Sequence, residues 1–286
     1  MSKIEIRNIT KTFGDVTALK NITLYLEENH IYGLLGRNGA GKTTLLNLIT
    51  GKLFPDSGEI LVEGERALEN DRVLSKMYCM TEMNFYPERM RVREAFRWSA
   101  EFYPEFDTAY ANDLCKKFEL KPDLKITNLS TGYSSIFKII VALSCGAEIV
   151  IFDEPVLGLD ANHRELFYKE LILNFSKHPR TFILSTHLIE EVAGIIDHVI
   201  IIKNGTLIMD DEVQNVLALG FTVSGPAGAV DAYIKGKQML GSDTLGGLKT
   251  AYLMGRCDNL PSGLEASKLD LQKLFIQLTN AQEEQK

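Results

Sequence analysis

Gly36-Arg-Asn-Gly-Ala-Gly-Lys-Thr43, set between the apolar run HIYGLL (residues 30–35) and the helix-forming TLLNLIT (residues 44–50), is the stretch that decides the fold. It fits G-x-x-x-x-G-K-[ST], with Gly36, Gly41, Lys42 and Thr43 at the required spacing. Glycines admit the positive-φ turns that bring a backbone close to a triphosphate. The amides of Arg37, Asn38, Gly39, Ala40 and Gly41, and the helix start through Thr44, then point at phosphate oxygens. In such a loop Lys42 neutralises charge between the β- and γ-phosphates, and the Thr43 hydroxyl ligates Mg²⁺. The pattern implies binding of a nucleoside triphosphate.

The bulk properties bound what surrounds this loop. At 286 residues, the chain holds one domain of about 200 residues plus a smaller one. Its 45% apolar content suits a sizeable core. A net charge of −7 gives no basic footprint, so no nucleic-acid partner is expected. No apolar run reaches the ~18 residues needed to span a bilayer, and MSKIEIRN is charged where a secretory signal is apolar. Cys79, Cys115, Cys145 and Cys257 are scattered, as expected of free thiols in a reducing cytosol.

Outward from the loop, KIEIRNITKTF and NITLYLEE alternate as strands around a Gly14-Asp15 turn, and Gly51 ends the loop's helix. PDSGEILVEGE reads as turn and strand, and residues 84–146 as a helical, aromatic-rich region. EIVIFDEP and RTFILSTH are continuous apolar runs of buried strands, and HVIIIKNGTLIMD turns at Asn204-Gly205. Apolar strands alternating with helices predict an α/β fold with a parallel sheet covered on both faces. Beyond about residue 216 the chain becomes richer in glycine and reads as a small appended α/β unit.

Asp153 and Glu154 end the apolar run Ile149–Phe152. A carboxylate there holds Mg²⁺ through a water, which is the role expected of Asp153. Glu154, next in the chain, is the candidate to polarise a water for attack on the γ-phosphorus. Leu129-Ser-Thr-Gly-Tyr133, before the helical run SSIFKIIVAL, offers the Ser130 hydroxyl and the Thr131 and Gly132 amides to an anion.

In this order the motifs resemble those of the ATPase subunits of ABC transporters over residues 1 to roughly 215. LSTGY is similar to that family's LSGGQ signature, VLGLD with Asp160 to its D-loop, and His187 in ILSTH to its switch histidine. Phe13 matches the aromatic that stacks on adenine. The resemblance implies a P-loop NTPase with a RecA-like parallel-sheet core, an antiparallel β subdomain and a helical subdomain. It implies ATP and Mg²⁺ as cofactors, and Ser130, Thr131 and Gly132 acting in trans on the triphosphate of a second ATPase subunit, identical or not. A separate transmembrane permease is then the membrane partner, with this chain on the cytoplasmic face of the cell membrane. The implied domains are 1–215 for nucleotide binding and 216–286 as an accessory.

The sequence departs from the family at three places. Thr131 replaces a signature glycine and Tyr133 its glutamine. Where the family carries a metal-reaching glutamine, Thr81 stands with Glu82 beside it, either of which is a candidate acceptor near the metal. Phe85, Tyr86, Phe96 and Trp98 after this loop are candidate anchors for a permease helix. LQKLFIQLT resembles the ending that follows the ATPase domain in many bacterial exporters of antibiotics and peptides, and the overall pattern, including LSTGY and FYPERMRVREAF, looks closest to small bacterial exporters of the antimicrobial-peptide and phenol-soluble-modulin type. An importer ATPase is the alternative within the family, and a soluble ABC ATPase of translation or DNA maintenance the alternative outside transport.

Overall fold

The computed structural model describes residues 2–87 and 89–280; of the expected 216–286 segment, residues 281–286 lie outside the described residues, as do Met1 and Glu88. Contacts divide the chain into two compact units, Met1–His187 with Ile200–Asp210 and Leu188–Val199 with Asp211–Lys286.

The first unit begins with a long hairpin, β1 (Ser2–Phe13) and β2 (Val16–Glu27). Strict alternation along β1 would place Ile6 and Asn8 on one face, yet Ile4, Ile6 and Ile9 are the buried set. The pairing register shifts between Ile6 and Ile9, and Asn8 sits at φ 53°, so a bulge rephases the strand. β3 (Ile31–Leu35) carries five buried residues into the phosphate loop, which opens α1 (Lys42–Ile49). β4 (Ser57–Val62) and the short β5 (Glu65–Arg66) complete an antiparallel sheet of order β2-β1-β4-β5.

A single turn, α2 (Asp71–Leu74), capped by the Asn70 side chain, leads to β6 (Met77–Met80). The helical region consists of α3 (Val92–Phe102), α4 (Thr108–Lys117) and α5 (Thr131–Ser144). β7 (Ile149–Asp153), α6 (Ala161–Lys177), β8 (Thr181–Thr186) and α7 (Ile189–Val192) follow. β9 (His198–Lys203) and β10 (Thr206–Glu212) are joined by Asn204 and Gly205 at φ 49° and 76°, the positive pair that a two-residue hairpin turn demands. The central sheet has the order β10-β9-β3-β8-β7-β6, with β3, β8, β7 and β6 parallel. This order brings the C-terminal ends of β3 and β7 to the same edge as β8, where α/β sheets bind ligands.

Valine 92, Ala95, Phe96 and Ser99 form the buried stripe of α3. Phe96 is 1% exposed and stacks on Phe137 of α5 with centroids 6.2 Å apart. Its burial contributes about 1.5–3 kcal/mol, so it is a core residue and not a surface anchor for a partner.

The second unit is built on a four-stranded antiparallel sheet of order β12-β13-β11-β14: β11 (Gly220–Pro226), β12 (Met239–Leu245), β13 (Leu248–Met254) and β14 (Glu265–Lys268). Helices α8 (Val213–Ala218), α9 (Ala227–Ile234) and α10 (Leu271–Asn280) accompany it. Its core is small: Phe221, Val223, Val230, Ala251, Leu253 and Leu264. Among the described residues, no helix is long and apolar enough to cross a membrane.

Candidate functional site

The phosphate loop is shaped by steric necessity and braced from the side. Gly41, the residue before α1, has φ 110°, and a Cβ there would lie 2.7 Å from both Ala18 O and Leu19 Cδ2. Only glycine meets both constraints. Ala40 N donates to Arg37 O at 3.1 Å, Gly205 N donates to Ala40 O at 3.0 Å, and Lys20 N donates to Gly205 O at 2.7 Å. The β9–β10 turn thus ties the loop to β2. Gly36, Ala40 and Lys42 are buried, Thr44 is half-buried, and Arg37, Asn38, Gly39 and Thr43 are exposed. Lys42 directs its ammonium inward, donating to Gly36 O at 2.8 Å and lying 3.7 Å from the Glu154 carboxylate.

The carboxylates arrive from β7. Thr43 Oγ1 donates to Asp153 Oδ2 at 3.0 Å, and Ser185 Oγ donates to Asp153 Oδ1 at 2.9 Å. Both Asp153 oxygens are therefore fixed beside an exposed hydroxyl, a donor set of hard oxygens that fits Mg²⁺. Glu154 has left-handed backbone, φ 49°, and its amide donates to Ser185 O at 2.9 Å. A carboxylate-bearing residue in this region costs about 1–3 kcal/mol, and the turn swings its side chain out of the strand. Glu154 Oε2 then lies 2.9 Å from His187 Nδ1. Lys42, Thr43, Asp153, Glu154 and His187 converge through these contacts on one spot. A cationic ammonium, loop amides, a hydroxyl-carboxylate pair and a carboxylate-imidazole pair together suit binding a triphosphate with its metal and activating a water.

Facing the carboxylates is a cavity of about 440 Å³. Its walls include Thr81 and Glu82 after β6, Thr131 and Ser134 at the start of α5, and Asp153 and Glu154 themselves. Ser130 caps α5, its Oγ accepting from Tyr133 N at 3.3 Å, and is exposed. Gly132 runs so close to the chain that a Cβ would come within 2.9 Å of Gly158 O. Thr81 Oγ1 is buried without a hydrogen-bond partner, and Glu82 is exposed.

Two expected residues lie apart from this convergence. Asp160 caps α6, accepting from His163 N at 2.9 Å, and that hydrogen bond first, with the His163 ring beside it, holds its carboxyl below the usual range. Phe13 is exposed at the tip of the β1–β2 hairpin, with the Lys11 ammonium 5.5 Å from its ring centroid. Separately, a groove of about 510 Å³ is lined by Phe85, Tyr86, Trp98, Phe102 and Tyr103. Phe85, Trp98 and Phe102 are 66%, 49% and 72% exposed, an apolar patch that asks for a partner.

Sequence reasoning overlooked Ser185 and Lys138. Ser185 stands two residues before His187 in an otherwise apolar strand, and Lys138 is the lone cation in an apolar helical run. Polar residues interrupting buried periodicity are the signal that marks them.

Comparison with known proteins agrees with this geometry. Residues 19–157 match the family described as "ABC transporter". The ABC transporter ATP-binding protein YtrB of Bacillus subtilis (strain 168) is 28% identical over 74% of this chain and 73% of its own length. NatA, an ABC transporter ATP-binding protein of the same organism, is 30% identical over 72% of this chain and 87% of its own length. A solved ATP-binding subunit of an ABC transporter, 22% identical, superposes with a TM-score of 0.68 over 75% of this chain and 92% of that one. The chain belongs to the ABC transporter ATP-binding family, and it is an ATPase subunit that works on ATP with Mg²⁺.

Proposed function

We propose that this chain powers export, of peptides or other amphipathic compounds, through a separate transmembrane permease. In this reading residues 1–215 form the nucleotide-binding domain and 216–286 an accessory domain. The observation that carries the permease contact is the groove whose Phe85, Trp98 and Phe102 rings are exposed, since an amphipathic helix laid in a groove needs such apolar anchors. For direction, a relative named "Nod factor export ATP-binding protein I" from Burkholderia lata is matched over 71% of its length. By contrast, a ribose import ATP-binding protein of Streptococcus agalactiae is matched over only 44%. Relatives named for export and for import are thus both matched, and the export reading rests on the likeness of LSTGY and FYPERMRVREAF to the small exporters.

The chemistry follows from the side chains. Arg37 to Thr44 cradle the phosphates through amides, and Lys42 exchanges its contact with Gly36 O for phosphate oxygens. Thr43 and Asp153 hold Mg²⁺, which when bound offsets phosphate charge. Glu154 takes a proton from the attacking water, and His187 orients that carboxylate through Nδ1. Ser130, Thr131 and Gly132 meet the triphosphate of a second subunit, with Asp160 at the same interface, while Phe13 stacks on adenine. Closure on ATP and opening after hydrolysis drive the permease from the cytoplasmic face of the membrane.

The test is to tag the chain in its native cell, solubilise the membranes gently and identify what copurifies. A polytopic membrane protein near one-to-one stoichiometry, whose loss sensitises cells to amphipathic peptides, is the expected result. Recovery only in the soluble fraction with ribosomes or DNA would overturn the export reading and leave the ATPase standing.

A further inference from the structure

Helix α5 carries a polar stripe inside an apolar stretch. Ser135 and Lys138, three residues apart and both buried, lie on one helical face. Lys138 is 8% exposed, and its Nζ donates to Thr81 O at 2.9 Å and to Glu82 O at 2.7 Å. Ser135 Oγ donates to Leu157 O at 3.1 Å. Every acceptor in this set is a main-chain carbonyl, and both acceptor segments are walls of the cavity that faces Asp153 and Glu154. One helix therefore holds two loops by their backbones, the loop after β6 through Lys138 and the loop after Glu154 through Ser135.

The loop after β6 needs such an anchor. Thr81 buries a hydroxyl that makes no hydrogen bond, so its own side chain does not fix it. Burial in turn lowers the Lys138 pKa, opposed by the nearby Glu82 carboxylate. An ammonium is a costly group to bury and is retained where its donors are used. Two carbonyls 2.7–2.9 Å away use them here.

We infer that Lys138 is a positioning residue for ATP hydrolysis: its ammonium pins the Thr81–Glu82 backbone to α5 and so fixes the wall opposite the Asp153–Glu154 carboxylates. Lys138 lines the same cavity, but its ammonium is turned to the Thr81 and Glu82 carbonyls. Its effect passes through the loop, which then leads within a few residues to Phe85 and Tyr86 of the aromatic groove. The inference needs only the ATPase reaction and stands whether or not a permease fills that groove.

The test compares Lys138→Met with Lys138→Arg in the full chain. Methionine keeps the apolar stem and removes the donors; arginine keeps charge and donors. Steady-state phosphate release is measured over a range of ATP with Mg²⁺, together with binding of a fluorescent ATP analogue and thermal melting. Displacing a wall of the site lowers kcat, and the expected fall for Lys138→Met is about tenfold. KM and analogue affinity stay within about twofold, because the phosphate loop is untouched. Lys138→Arg recovers most of the lost kcat. Wild-type kcat in Lys138→Met overturns the inference, as does a fall in kcat that merely tracks lost binding and lowered melting temperature. A Lys138→Arg variant no better than Lys138→Met overturns it too, since the donors would then be irrelevant.

Discussion

Ser130 is asked to do two things, and one substitution separates them. Its Oγ caps α5 through a 3.3 Å bond from Tyr133 N, and its exposure leaves the same oxygen open to an anion on a second subunit. Removing the hydroxyl in Ser130→Ala costs the cap. At that length the bond lies just beyond the usual range, so the loss is about 0.5–1 kcal/mol, or about 1–2 °C in melting temperature for a chain of 286 residues. Ser130→Asp behaves differently. Aspartate caps as well as serine and adds a favourable charge at the positive end of the helix, so melting holds or rises slightly. Facing a triphosphate, however, its carboxylate repels at about 4 kcal/mol per charge pair at 4 Å and an effective dielectric of 20, which slows turnover about a thousandfold. The assay is thermal melting of the chain alone beside steady-state phosphate release with Mg²⁺ and ATP. The expected pattern is a stable, inactive Ser130→Asp and a slightly less stable, partly active Ser130→Ala. Wild-type turnover in Ser130→Asp would refute the placement of this residue against phosphate. A loss above about 2 kcal/mol in Ser130→Ala would refute the cap arithmetic.

Glu154→Gln keeps the size of the side chain and removes the proton acceptor, so ATP binding persists while hydrolysis stops and an ATP-bound dimer accumulates on gel filtration; normal turnover would exclude Glu154 as the base. Lys42→Ala removes the ammonium that Gly36 O now holds, and titration with a fluorescent ATP analogue should detect no productive binding. The third test is acid unfolding: Lys3 first and then Lys76 hold the Glu63 carboxyl down to about 2 from an ordinary 4.5. A lowered carboxylate pKa stabilises above the unfolded value and is lost as pH falls, so this contribution is present above pH 4.5 and disappears toward pH 2. With Glu63 40% exposed, solvent screening leaves about 1 kcal/mol. Circular dichroism of Glu63→Gln should show a shallower acid limb, and curves parallel to wild type would contradict it.

Much of the central unit is legible in the sequence because its signals are local. The loop Gly36–Thr43 names its own turn chemistry, Ile149–Phe152 can only be a buried strand, and Asn204-Gly205 specifies a hairpin. Phe96 defeats composition, since its role depends on the helix face. The stripe Val92, Ala95, Phe96, Ser99 packs inward while Trp98 and Phe102, four apart, face outward. The bulge shows in the sequence only as the two-residue gap between Ile6 and Ile9, which does not say that Asn8 is the residue that turns left-handed to rephase β1. In the second unit, β14 is exposed along its length, so no pattern marks it as a strand; its pairing with β11 does. Lys138 escaped notice because its partners are carbonyls, which every residue has.

Glu154 sits where a protein chain prefers glycine or asparagine, and neither of those carries a carboxylate. On the role proposed for Glu154, a substitution that relaxes the backbone there also removes the carboxylate that activates water. A library sorted only for heat resistance is pushed one way at position 154, and cells that depend on turnover push the other. The strain at Glu154 and the carboxylate it presents are then one property, and neither is relieved without the other.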